Sequence, residues 1–331
     1  MRATIMDIAA KAGVSKTTVS FAFNCPDRIS RDTYERVMRV ANELGYMPDP
    51  VARILARRRT GAVGLLLSRP IEDCLRDPHA VEILRGIGSV CRREGLTLEI
   101  LESARGGMDD AIRNAAVDGI VAIGVAGASG VSGGADIIGR RDLPLVTVDG
   151  DAREGTVNVG IDGRRAGAEM MEAALARGHR AIAILSAGDF ADGRVAGLTD
   201  ALARRALPPP GAGETRLVAA DATAEAARAA FSDLLSSGFR PSAVLCLSDV
   251  QALGVYEECA ARGISIPADI SVVGFDDIPF AQFLSPALTT VRQSGFDKGA
   301  RAASALAALI AGGSPESVVL EARLVMRSSL A

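Results

Sequence analysis

Histidine and tryptophan are nearly missing from this chain. Of 331 residues, two are His (His79 and His179), none is Trp, and aromatics make up 4%. With so few imidazoles and no His/Cys cluster at ligand spacing, a metal site is disfavoured. An enzyme is disfavoured too, because no base or nucleophile arrangement stands out and no catalytic residue is assigned. Any ligand pocket must work without much aromatic stacking. The five cysteines (Cys25, Cys74, Cys91, Cys246 and Cys259) are scattered and odd in number. That argues against a disulfide framework and for a reducing cytoplasm. No apolar stretch reaches the ~18 residues that cross a bilayer, so no membrane partner is expected. The opening Thr4-Ile5-Met6-Asp7 reads as a helix start and not as a secretory signal, which disfavours an exported protein.

What remains is ordinary globular material, 48% hydrophobic and 23% charged. At ~100–200 residues per domain the length suggests two or three domains. The net charge of −3 is unevenly spread: residues 1–59 hold eleven Lys/Arg against six Asp/Glu, and the other 272 hold twenty-six against thirty-four. A head of +5 on a body of −8 suggests that one part meets a polyanion and the other does something else.

The head patterns as helix, glycine turn, helix. Thr4 and Asp7 have the form of a capping box, although Glu or Gln suits the second place better. Ile5, Ile8, Ala9 and Ala12 repeat at helical spacing, and Gly13 stops the helix. Ser15 caps a second helix from Lys16 to about Phe23, and Ser30 a third over Arg31–Leu44. A short polar N-terminal turn on the second helix suits the major groove, about 12 Å wide. Lys16 and Thr17 would point at bases, while Thr4, Ser15, Thr18, Ser20 and Asn24 are candidate phosphate donors. On spacing alone a plain three-helix packing module fits as well.

Asp49 then caps a short helix with Pro50 at its first position. Two turns are marginal without a partner. Leu55 is a candidate apolar wedge, and the arginines around it, Arg53 and Arg57 among them, would face phosphates. A basic interdomain linker explains the arginines but not the order of cap, proline and apolar residues.

From Gly61 short apolar runs alternate with helical stretches. Residues 62–67, 97–101, 120–123, 145–148, 181–185, 243–247 and 271–274 read as strands, and Val81–Glu94 as a helix. Such alternation implies α/β architecture with parallel sheets covered on both faces. About 270 residues of it are too many for one doubly wound domain, so two lobes are expected. Ligands of open parallel sheets bind at strand carboxyl ends. The polar residues there are Ser68, Asp149, Ser248, Asp249 and Asp276. The glycines of 125–134 lack the spacing of a phosphate loop, and Asp149-Gly150-Asp151 lacks a calcium-loop pattern.

Several ordered stretches carry a resemblance. They are Thr4-Ile5-Met6-Asp7-Ile8-Ala9, Ala12-Gly13-Val14-Ser15, Thr18-Val19-Ser20, Asn24, Glu43-Leu44-Gly45-Tyr46, Pro48 and Ala52. In the body they continue with Gly178-His179-Arg180, Pro267-Ala268-Asp269-Ile270-Ser271-Val272-Val273-Gly274-Phe275-Asp276-Asp277 and Leu288-Thr289-Thr290-Val291-Arg292-Gln293. Together these resemble the lactose-repressor/purine-repressor family of bacterial transcription regulators over essentially the whole chain.

The resemblance implies a lambda-repressor-like helix-turn-helix domain at 1–46 and a hinge helix and linker at 47–60. It further implies a two-lobed periplasmic-binding-protein-like core. Its N-terminal lobe would be 61–158 with 290–317, and its C-terminal lobe 159–289 with 318–331, the chain crossing near Val159, Leu288 and Val318.

By the same resemblance the protein is a cytoplasmic homodimer, nucleoid-associated when bound to a near-palindromic double-stranded operator. No leucine-heptad tail is seen after Met326, which favours a dimer over a tetramer. Ala52, Arg53, Leu55 and Arg57 fall in the hinge, where a leucine pries open a minor-groove step. Phe21 stands where many members carry Arg and can make only apolar base contacts. Arg194, Ser248 and Asp276 occupy effector-contacting positions, with Ser68, His79 and Asp149 as further candidates.

A guanidinium opposite a carboxylate suits a sugar-like effector. Many relatives place aromatics near Asp77-Pro78-His79, and some place Trp near Ala222, so a smaller or more polar effector is expected. His179 is expected to pack at a helix end. The expected function is a transcription regulator, read as a repressor, whose operator affinity a small molecule controls. A non-sugar corepressor such as a nucleobase, a solute-binding protein and an enzyme on the same core are the alternatives.

Overall fold

The computed structural model describes residues 3–47, 54, 59–102, 107–124, 138, 140–150, 156–187 and 192–331. The chain divides into two compact units, residues 1–61 with 116–118 and residues 62–115 with 119–331.

The first unit contains α1 (Ile5–Ala12), α2 (Lys16–Asn24), a 3-10 turn at Pro26–Arg28, and α3 (Arg31–Glu43). Thr4 and Asp7 close a capping box on α1, and the Ser15 and Ser30 hydroxyls accept from the first turns of α2 and α3. Each such cap stabilises its helix by about 1 kcal/mol. Gly13, at φ 64°, makes the left-handed turn between the first two helices. Ile8, Val19 and Val37 are fully sealed at the centre of the three helices.

The second unit is built on two six-stranded sheets. The first has the order β11-β5-β4-β3-β1-β2 and the second β12-β10-β9-β8-β6-β7. The first comprises β1 (Ala62–Leu67), β2 (Thr97–Leu101), β3 (Ile120–Ile123), β4 (Leu145–Val148), β5 (Val157–Ile161) and β11 (Val318–Leu320). The second comprises β6 (Ile182–Ser186), β7 (Thr215–Ala219), β8 (Ala243–Cys246), β9 (Ser271–Asp276), β10 (Thr289–Gln293) and β12 (Ala322–Val325). Every pairing is parallel except β10 with β12. β6, β8 and β9 are buried along their whole length, as strands covered on both faces must be.

The helices used below are α4 (Ile71–Arg76), α5 (Pro78–Glu94), α6 (Gly107–Asn114), α7 (Gly163–Ala176), α8 (Asp192–Arg204), α9 (Ala224–Ser236), α10 (Asp249–Arg262) and α11 (Gly295–Ile310). α5 starts three residues before the expected Val81, because Asp77 caps it and Pro78 fills its first position.

The chain passes between the lobes at Asp162, Ser294 and Glu321, between β5 and α7, β10 and α11, and β11 and β12. The boundaries expected at 158/159, 289/290 and 317/318 fall upstream of these points. The first two cut through strands and the third comes just before β11. Val318 pairs with Val159 in the first sheet, and Thr290 with Val325 in the second. Each strand finishes its ladder before the chain crosses, because leaving early would orphan buried backbone groups.

Helices α7 and α8 touch backbone to backbone. A methyl group on Gly167 would strike the Arg194 carbonyl, and one on Gly197 the Arg164 carbonyl. Both obstacles are main chain, so the helices themselves would have to part. Gly167→Ala is expected to destabilise the core by about 3 kcal/mol, the upper range for overpacking, as a lowered urea midpoint. An unchanged midpoint would show that the α7–α8 contact yields freely.

Candidate DNA interface and ligand cleft

In the first unit, α2 opens with two exposed side chains, Lys16 and Thr17, followed by half-buried Thr18, Ser20, Phe21 and Asn24. Ser15 Oγ accepts the Thr18 amide at 3.0 Å and lies 2.9 Å from Thr18 Oγ1. At the head of α1 the Thr4 amide and hydroxyl both donate to the Asp7 carboxylate at 2.8 Å, and Thr4 Oγ1 accepts the Asp7 amide at 3.4 Å. A phosphodiester only accepts, so a capping hydroxyl can serve it only with an O–H that is not given to a neighbour. Asn24 Nδ2 donates to Ser20 Oγ at 3.4 Å. Phe21 is not alone on its face: the exposed Arg28 guanidinium stands 5.7 Å from its ring centre. An arginine therefore neighbours the position whose own side chain has no donor. Ala52, Arg53, Leu55 and Arg57, the hinge candidates, lie outside the described residues.

In the second unit the polar strand ends converge. Lys298, on the first turn of α11, is completely buried. Its ammonium donates to Asp149 Oδ1 at 2.7 Å, Asp149 Oδ2 at 2.6 Å and Gln293 Oε1 at 2.5 Å. All three of its protons are used. Gln293, at the end of β10, passes its Nε2 to Asp276 Oδ1 at 2.5 Å. Asp149 and Asp276 thus sit at two ends of one chain of hydrogen bonds that spans both lobes.

Both carboxylates hold left-handed backbone, Asp149 at φ 53° and Asp276 at φ 117°. For non-glycine residues this conformation costs on the order of 1–3 kcal/mol and clusters at ligand sites. Burial alone would raise the Asp149 pKa, but the Lys298 ammonium overrides it and holds the carboxyl below its ordinary value. Burial raises that of Asp276, partly offset by His79 and Arg194.

Arg194, near the start of α8, donates to the Leu247 carbonyl at 2.6 Å and lies 4.0 Å from the centre of the Phe275 ring. The ring contact and the carbonyl bond together restrain the guanidinium. His79 Nε2 is sealed from solvent and has no hydrogen-bond partner among the described residues. Burial pushes its pKa down despite nearby Asp276. The imidazole is therefore neutral near pH 7, with one nitrogen a donor and the other an acceptor.

The remaining candidates are placed differently. Ser68 is exposed beyond β1. Ser248 Oγ caps α10 by accepting from the Gln251 amide at 3.2 Å. Asp249 is fully buried and accepts from Thr290 Oγ1 at 2.6 Å and the Ile278 amide at 2.8 Å, so it ties β10 to the loop after β9. Asp277 is held by Arg292 and Arg327. His179 packs at the end of α7, its ring nitrogens 3.0 Å from Ser242 Oγ and 3.2 Å from the Ala331 carbonyl oxygen. Lys298 and Phe275 complete the cluster, and neither was a candidate. The only trace of Lys298 in the sequence is a lone lysine on the otherwise apolar inner face of α11.

Beside this cluster lies a cleft of about 920 Å³. Arg69, Asp73, Arg76, Asp77 and Pro78 line it from the first lobe, and Asp221, Ala222, Glu225, Val250, Leu253 and Phe280 from the second. Phe280, 58% exposed, is the large ring on this wall. The cleft is open to solvent, whereas the candidate side chains are bonded mainly to one another. None of the candidate effector residues is on its wall; Pro78, which lines it, is the chain neighbour of His79.

Similarity to known proteins agrees with both halves. The family described as bacterial regulatory proteins, lacI family, matches residues 4–49, and the periplasmic binding protein-like domain matches residues 171–330. The HTH-type transcriptional regulator Rv3575c of Mycobacterium tuberculosis is 34% identical, over 98% of this chain and 96% of the relative. The chain belongs to the lacI family of bacterial regulatory proteins. Members of this family are transcription regulators, so the head of this lacI-family chain is a DNA-binding domain and its core an effector-binding one. The lac repressor dimer bound to operator and the anti-inducer ONPF superposes with a TM-score of 0.84 at 26% identity, covering 100% of both chains. A complex of the transcriptional regulator CelR with cellobiose gives a TM-score of 0.72 at 27% identity, covering 99% of this chain and 100% of that one. Among the described residues no helix is long and apolar enough to cross a membrane.

Proposed function

We propose that this regulator is a homodimeric repressor acting in the cytoplasm on a near-palindromic operator, with a neutral sugar-like molecule as its effector. The observation that carries the effector reading is the Arg194 guanidinium, held over Phe275 near the Asp276 carboxylate, with His79 Nε2, which has no partner among the described residues, in the same cluster. Donor fork, acceptor and neutral imidazole together match a polyhydroxyl ligand, whose hydroxyls both donate and accept. The CelR–cellobiose complex supports the same class. The exposed Phe280 supplies an apolar surface for a sugar face, while the small Ala222 in the same lining leaves room for a compact one.

Operator specificity rests on α2. Lys16 and Thr17 read base edges, Thr4, Ser15, Thr18, Ser20 and Asn24 bind phosphate, and Phe21 touches bases apolarly. In the hinge, Leu55 wedges the minor groove, with Ala52, Arg53 and Arg57 along it. Effector binding closes the cleft and changes operator affinity through the linker.

Two experiments test this. A thermal-shift screen of sugars, polyols and nucleobases should find a stabilising sugar or polyol, because a cleft ligand stabilises the fold by mass action. Stabilisation by a nucleobase alone would replace the sugar reading with a corepressor one. Selection from random duplexes should return a sequence with two inverted half-sites. Lys16→Ala should then relax preference at one position in each half-site, costing about 1–3 kcal/mol there. A uniform loss across all sequences would move Lys16 to the phosphate contacts.

A further inference from the structure

Asp118 belongs neither to the DNA-reading helices nor to the cleft, yet its carboxylate accepts three hydrogen bonds. Its Oδ1 accepts the Thr60 amide at 2.7 Å and the Thr60 hydroxyl at 2.9 Å, and its Oδ2 accepts the Gly61 amide at 2.8 Å. Two consecutive backbone N–H groups thus close on one carboxylate from 57 and 58 residues away. This is a small anion nest of main-chain amides. A charged acceptor makes such bonds shorter and stronger than neutral ones. Gly61, at φ 71°, gives the backbone the turn that aims both amides at one point.

The position of the clamp in the chain gives it meaning. Residues 116–118 group with residues 1–61 and not with the chain on either side of them. Gly61 leads without a spacer into β1 at Ala62, and Asp118 is one residue from Gly119 and two from β3 at Ile120. Gly64 in β1 donates to the Gly119 carbonyl at 2.9 Å. Two adjacent strands of the first sheet, β1 and β3, therefore begin next to the clamped residues. A free linker would dissipate a displacement of that sheet into its own conformational entropy. A clamped one delivers it at residue 60.

We propose that Asp118 is a positioning residue for the allosteric response: it locks Thr60–Gly61, so that movement of the first lobe is passed into segment 47–59 and changes operator affinity. This rests on the operator-binding reading above and adds the residue that transmits the signal.

The test uses the full chain and the duplex that the wild-type protein selects from a random library. Asp118→Ala should speed amide exchange at Thr60 and Gly61 at least thirtyfold. It should weaken the selected duplex roughly tenfold, with affinity for a scrambled duplex unchanged. Asp118→Asn, which keeps one oxygen acceptor, should fall between, and Thr60→Ala, which removes only the hydroxyl bond, should stay within twofold of wild type. That gradation separates positioning from general destabilisation, which would follow the melting temperature. Unchanged exchange at Thr60 and Gly61 in Asp118→Ala would overturn the proposal. So would rapid exchange with wild-type affinity for the selected duplex. If the wild type selects no sequence, the operator reading fails first, and amide exchange still reports whether the clamp exists.

Discussion

Replacing Asp149 with Asn should cost the core about 3 kcal/mol at neutral pH, because it strands a buried ammonium. Lys298 is completely sealed, and Asp149 takes two of its three hydrogen bonds. The amide can still accept one bond, but it carries no charge to offset the desolvated lysine. The loss should also depend on pH in a definite direction. Burial already pushes the Lys298 pKa below its ordinary value, and Asp149 is the chief group holding it up. In Asp149→Asn the folded-state pKa falls further while the unfolded one does not. Between those two values the unfolded chain binds more protons, so stability rises with pH. Urea titrations of wild type and variant at about pH 6 and about pH 9 should show the deficit shrinking at the higher pH. A deficit that is equal at both would mean that Lys298 stays charged without its partner. No deficit at all would mean that water reaches the pair.

The second large effect belongs to Arg194→Ala. The guanidinium lies over the Phe275 ring and donates to the Leu247 carbonyl, and the proposed function sets it against the ligand. A hydrogen bond between a charged donor and a neutral partner is typically worth about 1.5–3 kcal/mol. Affinity for whichever sugar or polyol stabilises the wild type should therefore fall roughly a hundredfold, about 2.7 kcal/mol. Operator affinity without ligand should stay within about twofold, because α8 lies in the core and the reading helix in the other unit. Titration calorimetry and duplex binding measure the two separately. Wild-type ligand affinity would remove Arg194 from the site. A parallel loss of operator binding would assign it a structural role.

The strand ends show how much of the site was readable in advance. Asp149 and Asp276 were visible because a short apolar run followed by an acidic residue marks a strand carboxyl end, and ligands of parallel sheets collect there. Ser248 carried the same mark, and its oxygen also accepts the α10 cap bond, since a serine before a helix answers local geometry as readily as a ligand. Lys298 was not readable. It lies 149 residues from Asp149 in the chain, and only the packing of α11 against the first sheet brings the two together. Asp118 and Thr60 were hidden in the same way. The lobe boundaries were displaced by a few residues because periodicity reports where a strand's apolar run sits, whereas the ladder decides how far it extends.

The sequence by itself determined the helix-turn-helix, through Thr4, Gly13, Ser15 and Ser30. Caps and left-handed turns depend on residues three or four apart and need no distant partner. It also determined the division into a basic head and an acidic α/β body, because charge and strand–helix alternation are properties of local composition. Only the tertiary structure decided which carboxylate Lys298 neutralises, where the chain crosses between lobes and which residue clamps the linker. Each is a pairing across many tens of residues, fixed by the burial and hydrogen-bond satisfaction of the whole fold and invisible to any local window.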